Sequence, residues 1–394
     1  MNIKTVYYLL TSSRSFCIQI VFTLNAIYYV SHAGLNPLQL VLLGTIMEVA
    51  VLSFEIPTGL VADYFGRKKS LIIGTFIIGW AHLLEGSIPA FWAIAVGAAL
   101  WGIGWTFISG AETAWIADEI ENEELDATLL NGAKFSSLGS FLGIVVSVLI
   151  AIVFTVQIAI LIAGSLLIVI AVISSKAITE TKFISIARND ASSIQQMKGA
   201  LKGSLAIIKG NKVLLGLAAI TLFTGLASEG FDRLWGAHFI EGFQMNEADA
   251  VYWFGAFYAI AFLLNIGLLK MVETYAKERF AIVLVLLNSL LVFAMIYFAI
   301  VEHFLKAAIL YWGIASLRAV NHPLVSVMTN KQLHSQGRAT TLSMYGQLDA
   351  FGQVAGGPLV GVIALYTSVQ GGIITSALLI IPTVYFLWRL RKIA

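Results

Sequence analysis

The chain has 394 residues, of which 59% are hydrophobic and only 12% charged, with 24 Lys and Arg against 22 Asp and Glu. Soluble domains carry about 25% charged residues, so a mean hydropathy of +0.87 excludes a soluble globular protein and places most of the chain in lipid. A formal net charge of +2 gives no electrostatic basis for a nucleic-acid partner, and the single cysteine, Cys17, excludes an intrachain disulfide or a paired-cysteine metal site.

A bilayer core of about 30 Å takes roughly 20 apolar residues as helix. In chain order the runs of that length are 6–31, 38–62, 70–88, 90–117, 130–153, 155–175, 213–241, 248–271, 279–301, 304–330, 339–365 and 368–388. The first opens after Lys4 and continues to Val30, too long for a signal-peptide core, and reads as a retained helix. Residues 176–212 form the long polar break. Within it Ile194, Met197, Leu201, Leu205 and Ile208 recur at helical spacing among Lys198, Lys202, Lys209 and Lys212. That pattern suits an amphipathic helix, lying on an anionic leaflet or solvated as a plain linker. With the N-terminus in the cytoplasm, every Lys and Arg falls on the inner side except Lys306 and the three within spans, Arg14, Arg233 and Arg318. The positive-inside rule therefore supports the even span count and puts both termini inside. The expected architecture is an all-α membrane protein of twelve transmembrane helices in two pseudo-symmetric six-helix bundles, 1–175 and 213–394, joined by a cytoplasmic linker at 176–212. Repeats of this kind serve alternating access around a site near the midplane.

Between spans 2 and 3 the chain reads Gly59-Leu-Val-Ala-Asp63-Tyr-Phe-Gly66-Arg67-Lys68-Lys69. Gly66 supplies backbone freedom for a tight helix–loop–helix turn, and Gly59 would let span 2 approach a neighbour closely. This segment resembles the cytoplasmic signature loop of the major facilitator superfamily. The resemblance implies that Asp63 and Arg67 belong to a charge cluster that latches span 2 to the inner end of a neighbouring helix, with Asp118 as the candidate partner. Glu55-Ile-Pro-Thr-Gly59, Ser228-Glu229-Gly-Phe-Asp232-Arg233-Leu-Trp235 and Arg338-Ala-Thr-Thr-Leu-Ser343 are similar to the tetracycline- and macrolide-efflux-like branch of bacterial drug:proton antiporters. That implies proton-coupled efflux of lipophilic or cationic drugs across the inner membrane of a bacterium. Where many such antiporters carry an arginine in helix 4, this chain offers Trp101, Trp105 and Glu112. Gly139 and Gly143 of span 5 lack the usual Gly-Pro pair, while Gly356-Gly357-Pro358 with Gly361 occurs in span 11.

Ionisable groups in lipid cost roughly 3 kcal/mol or more, and those that persist face cavities or one another. Glu48 and Glu55, seven residues apart, share one face of span 2, about 10 Å apart along the axis. A carboxyl group exposed alternately to two sides carries protons, and both are candidates, with Glu112 and Asp232. Glu55 has a second reading as a hydrogen-bond partner at the kink of Pro57, and a Glu55–Glu112 pair or relay is a further expectation. Glu229 lies one turn before Arg233 and is its expected ion-pair partner, which leaves Asp232 for function. Arg14 needs a carboxylate or carbonyls, and Asp349 is the expected partner of Arg318. Tyr28, Trp105, Trp235 and Tyr258 are candidate lining residues for a lipophilic cation, through apolar area and cation–π contact.

No P-loop is present, so energy should come from an ion gradient, and no metal-spaced His cluster or Gly-x-Ser-x-Gly elbow points to an enzyme. The expected partners are a small-molecule substrate, protons and membrane lipids. The chain is expected to act as a monomer with no cofactor. The alternatives are proton-coupled nutrient uptake and export of a siderophore or metabolite.

Overall fold

The computed structural model describes residues 2–183, 203–275, 280–333 and 338–391, apart from the side chains of 269, 271–275 and 339. All regular structure among them is helical. Helix α1 (Ile3–Ile27) runs into a π-helical turn at Tyr28–His32. It is followed by α2 (Pro37–Phe65), α3 (Arg67–Ser87), α4 (Phe91–Glu119), α5 (Asn122–Val153) and α6 (Val156–Ala177). After a helical stretch at 203–210 come α7 (Lys212–Gly242), α8 (Glu247–Tyr275), α9 (Phe280–Ile300), α10 (Phe304–Lys331) and α11 (Arg338–Tyr366). The chain ends on α12 (Val369–Leu379) and α13 (Ile381–Leu390).

Counting α12 and α13 as the single segment Val369–Leu390, the described residues hold 10 helices long and apolar enough to cross a membrane. Helices α1 and α10 complete the twelve spans. They have the length, 25 and 28 residues, but Arg14 and Gln19 in one and Lys306, Arg318, Asn321 and His322 in the other lower their apolarity. The last span, expected as one helix, is broken at Ile380; Pro382, in the first turn of α13, has no N–H to continue the ladder. Helix α5 begins at Asn122 instead of near 130, with Glu123 and Glu124 in its first turn, where the helix dipole favours acids.

Helix pairing repeats with an offset of six. Helix α1 packs on α5 and α6, and α3 on α4 and α6; likewise α7 packs on α11 and α12, and α9 on α10 and α12. Glycine permits the closest approaches. A Cβ at Gly139 of α5 would stand 2.2 Å from the Ser12 carbonyl oxygen of α1, and one at Gly356 of α11 would stand 2.1 Å from that of Leu226 in α7. Small residues at such crossings are how helices associate where lipid removes the hydrophobic drive.

The chain packs as two units, Met1–Leu35 with Ile46–Arg188 and Met245–Ala259, and Asn36–Thr45 with Asn189–Gln244 and Ile260–Ala394. This division differs from a cut at the linker. The first turns of α2 join the second unit because Gly357 and Gly361 of α11 leave room for Thr45, Leu38 and Val41; the first half of α8 joins the first because Gly255 meets Val148 of α5. Of the expected amphipathic linker, Ile194, Met197 and Leu201 lie outside the described residues. Ile208 is buried in the core of the second unit with Leu214, Leu217 and Leu284.

Candidate functional site

In the first unit the signature segment is the turn between α2 and α3. Gly66 adopts φ 104°, a left-handed conformation that other residues rarely take, and caps α3. The Glu180 carboxylate, just beyond α6, accepts the Arg67 N–H at 2.7 Å and the Lys68 N–H at 3.4 Å, placing an acid at a helix N-terminus. The Arg67 guanidinium pairs with Asp118 and donates to the Ala114 carbonyl at 2.8 Å. The Trp115 indole donates to the Thr179 carbonyl at 2.9 Å, and Glu119 accepts from the Thr181 and Lys182 amides, so the chain after α6 is strapped to the end of α4. Asp63, Arg67, Gly59 and Glu55 line a cavity of about 250 Å³ between α2 and α4. Gly59 makes no close helix approach; a Cβ there would meet open space, because the cavity lies beside it.

Deeper in this unit Arg14 Nη2 donates to both Glu112 oxygens at 2.7 Å, with side chains 5% and 17% exposed. The expected Glu55–Glu112 relay is therefore not formed: α4 turns Glu112 onto α1, while Glu55 opens on the signature cavity. Glu48 is half-buried and is not among that cavity's walls. Trp105 is 38% exposed and stacks on Trp101, ring centroids 5.6 Å apart and 8° from parallel; Phe22 of α1 covers Trp101. Tyr28 is fully buried and lines no opening, contrary to expectation. The π-helical turn carries Tyr28 and Tyr29 inward onto α3, where their hydroxyls donate to the Glu85 carbonyl at 2.8 Å and its carboxylate at 3.2 Å. The other Glu85 oxygen meets His82 Nδ1 at 3.0 Å. Sequence reasoning missed this buried His82–Glu85 pair, although an acid three residues after a histidine inside an apolar run is a legible signal.

In the second unit Arg318 grips Asp232 with two nitrogens, at 2.5 and 2.7 Å, and lies over the Phe231 ring. The expected Arg318–Asp349 pair is absent, because α7 presents Asp232 to α10 in fork geometry. The Asp349 carboxylate accepts instead from the Gln353 amide at 2.9 Å. Arg233 donates to Glu229 at 3.2 Å one turn away, and α2 makes room for them with Gly44, whose Cβ would overlap the Glu229 carboxylate. Asn288 of α9 and Asn321 of α10 exchange amide hydrogen bonds at 2.8 Å in both directions, a pairing the sequence did not announce. Asp232, Arg318, Asp349, Gln353, His322 and the two asparagines line a cavity of about 420 Å³. Trp235 does not line it. It is buried against Tyr311, ring centroids 4.4 Å apart, in the aromatic packing of α7, α9 and α10. Tyr258 is half-buried in α8. Among the described residues no three His, Cys, Asp or Glu side chains could jointly hold a metal ion.

An all-helical, pairwise-repeated membrane fold with this signature turn is matched over residues 7–357 by the family model for the Major Facilitator Superfamily. The chain belongs to that superfamily. This major facilitator protein is 23% identical over 397 residues to the uncharacterized MFS-type transporter YxaM of Bacillus subtilis (strain 168), covering 97% of this chain and 94% of the relative. Among solved structures it resembles a mutant of the nucleoside transporter NupG, with TM-score 0.77, 12% identity and coverage of 100% and 98%. It also resembles a bacterial homologue of the human lysosomal transporter Spinster, inward-facing and unoccupied, with TM-score 0.76, 12% identity and coverage of 99% and 96%. At such identity these structures establish the fold alone. This major facilitator protein is thus a multi-span membrane transporter, in a family of transporters and not of enzymes.

Proposed function

We propose that this transporter exports lipophilic or cationic small molecules in exchange for protons by alternating access, in a bacterial inner membrane with both termini cytoplasmic. The observation that carries the reading is Glu55: an acid inside α2 that opens on the same cavity as Asp63 and Arg67, whose partner Asp118 ends α4. Neutralising Glu55 changes the field at that cluster, which links proton binding to the α2–α4 latch. Glu112 and Asp232 are each held by an arginine through two hydrogen bonds and serve as structural pairs. Trp105, 38% exposed and stacked on Trp101, suits a flat or cationic solute. Glu48 remains a second candidate on α2.

A polar solute is the second reading, favoured by the cavity of the second unit. Its polar lining, with Asp349 and His322, suits a hydroxyl- or amide-bearing nutrient or metabolite better than a lipophilic drug.

A susceptibility panel in an efflux-deficient host separates the two. Expression of the chain is expected to raise tolerance to ethidium and tetraphenylphosphonium, and Glu55→Gln at equal membrane abundance to abolish the gain. Unchanged tolerance across the panel, with the protein present in the membrane, contradicts drug export and favours the polar solute.

A further inference from the structure

The cavity of the second unit lies among α7, α9, α10 and α11, and several of its polar walls are paired with one another. Both Asp232 oxygens are taken by Arg318. Asn288 and Asn321 spend their best donors and acceptors on each other. Asp349 stands outside these pairs. Its carboxylate accepts one amide hydrogen bond, from Gln353 a turn along α11, and among the described residues no cation stands within ion-pair distance. Its backbone is fixed where α7 crosses α11, since a Cβ at Gly225 would stand 2.3 Å from the Asp349 carbonyl oxygen.

The charged and titratable groups facing Asp349 are Asp232 from α7 and Arg318 and His322 from α10. Helix α9 offers only the Asn288 amide, and the break between α12 and α13 only Ile380. Because Asp232 and Arg318 neutralise one another, a charged Asp349 is the local excess, and an uncompensated carboxylate inside a membrane is costly.

The geometry points to Asp349 as a proton-binding carboxylate of the second unit, reached through the cavity and positioned by Gln353. A proton adds to a carboxylate oxygen from water in the cavity and leaves by the same route; no other bond changes. The Gln353 amide serves both states, since its NH₂ donates to the carboxylate and, after a flip, its carbonyl accepts from the carboxylic acid. This role rests on the proton-coupled reading but assigns a second site, on a different helix from Glu55.

Infrared difference titration of the full chain in liposomes tests it without a known substrate. The parent is expected to show a titrating buried carboxyl band that Asp349→Asn abolishes, Asp349→Glu retains and Gln353→Leu displaces in midpoint, whereas Asp232→Asn does not abolish it. The same preparations are assayed for ethidium accumulation under an imposed pH gradient. An identical band in parent and Asp349→Asn overturns the assignment, even where the parent accumulates ethidium. Loss of the band in Asp349→Asn while the parent fails to accumulate ethidium sustains the proton site and overturns the drug-export reading alone. Gln353→Leu keeps the test decisive should Asp349→Asn fail to assemble, because an undisplaced midpoint in that variant also overturns it.

Discussion

At the scale of single residues, the membrane interior forces charges into pairs, and the pairs determine which acids are available to protons. Arg14 and Glu112 illustrate the cost of breaking one. Both are largely withdrawn from water, so removing one partner leaves an uncompensated buried charge, worth about 3–5 kcal/mol. Arg14→Leu and Glu112→Leu are each expected to lower thermal stability in detergent by an amount of that order, and the double variant to recover most of it. A double-mutant cycle with additive losses would show that the pair contributes no coupling. The sequence makes these charges visible but not their partners. Depth along the spans points Arg318 to Asp349, yet it stands on Asp232, because partner choice depends on the rotation of α7 against α10, which no residue spacing reports. The Glu229–Arg233 pairing is accessible because it is local to one helix.

At the scale of helices, the runs of apolar residues delimit the spans, and positions where the chain must do something other than cross are the ones that spacing misreads. The π-helical turn after α1 buries Tyr28, and Pro382 divides the last span, both tertiary consequences of short local signals. The strap of Glu180 and Glu119 onto the α3 and α4 ends is illegible, since it joins residues about 60 to 110 positions apart by contacts that periodicity does not encode. Close helix crossings are half legible: glycines are evident in spans 5 and 11, their partners are not. Gly139 marks the tightest approach of α5 to α1. Gly139→Val pushes a side chain into the Ser12 backbone carbonyl, which cannot yield as a flexible side chain could, so overpacking at the upper end of about 1–3 kcal/mol is expected. Melting of the purified variant measures it, and a melting temperature equal to the parent's would contradict so close a crossing.

At the scale of the whole molecule, the proposed proton-driven exchange of lipophilic cations rests on one carboxylate of α2 and one of α11. Neither the family nor the fold specifies that exchange; what supports it is that Glu55 and Asp349 line cavities of the two units and, among the described residues, neither forms an ion pair with an arginine. The full-length protein in liposomes with pyranine trapped inside tests it most directly, using ethidium because its fixed charge carries no proton of its own. Ethidium added outside is expected to enter and the lumen to become alkaline as protons leave in exchange, with Glu55→Gln abolishing the pH change. Ethidium entry at constant or falling internal pH would contradict the exchange.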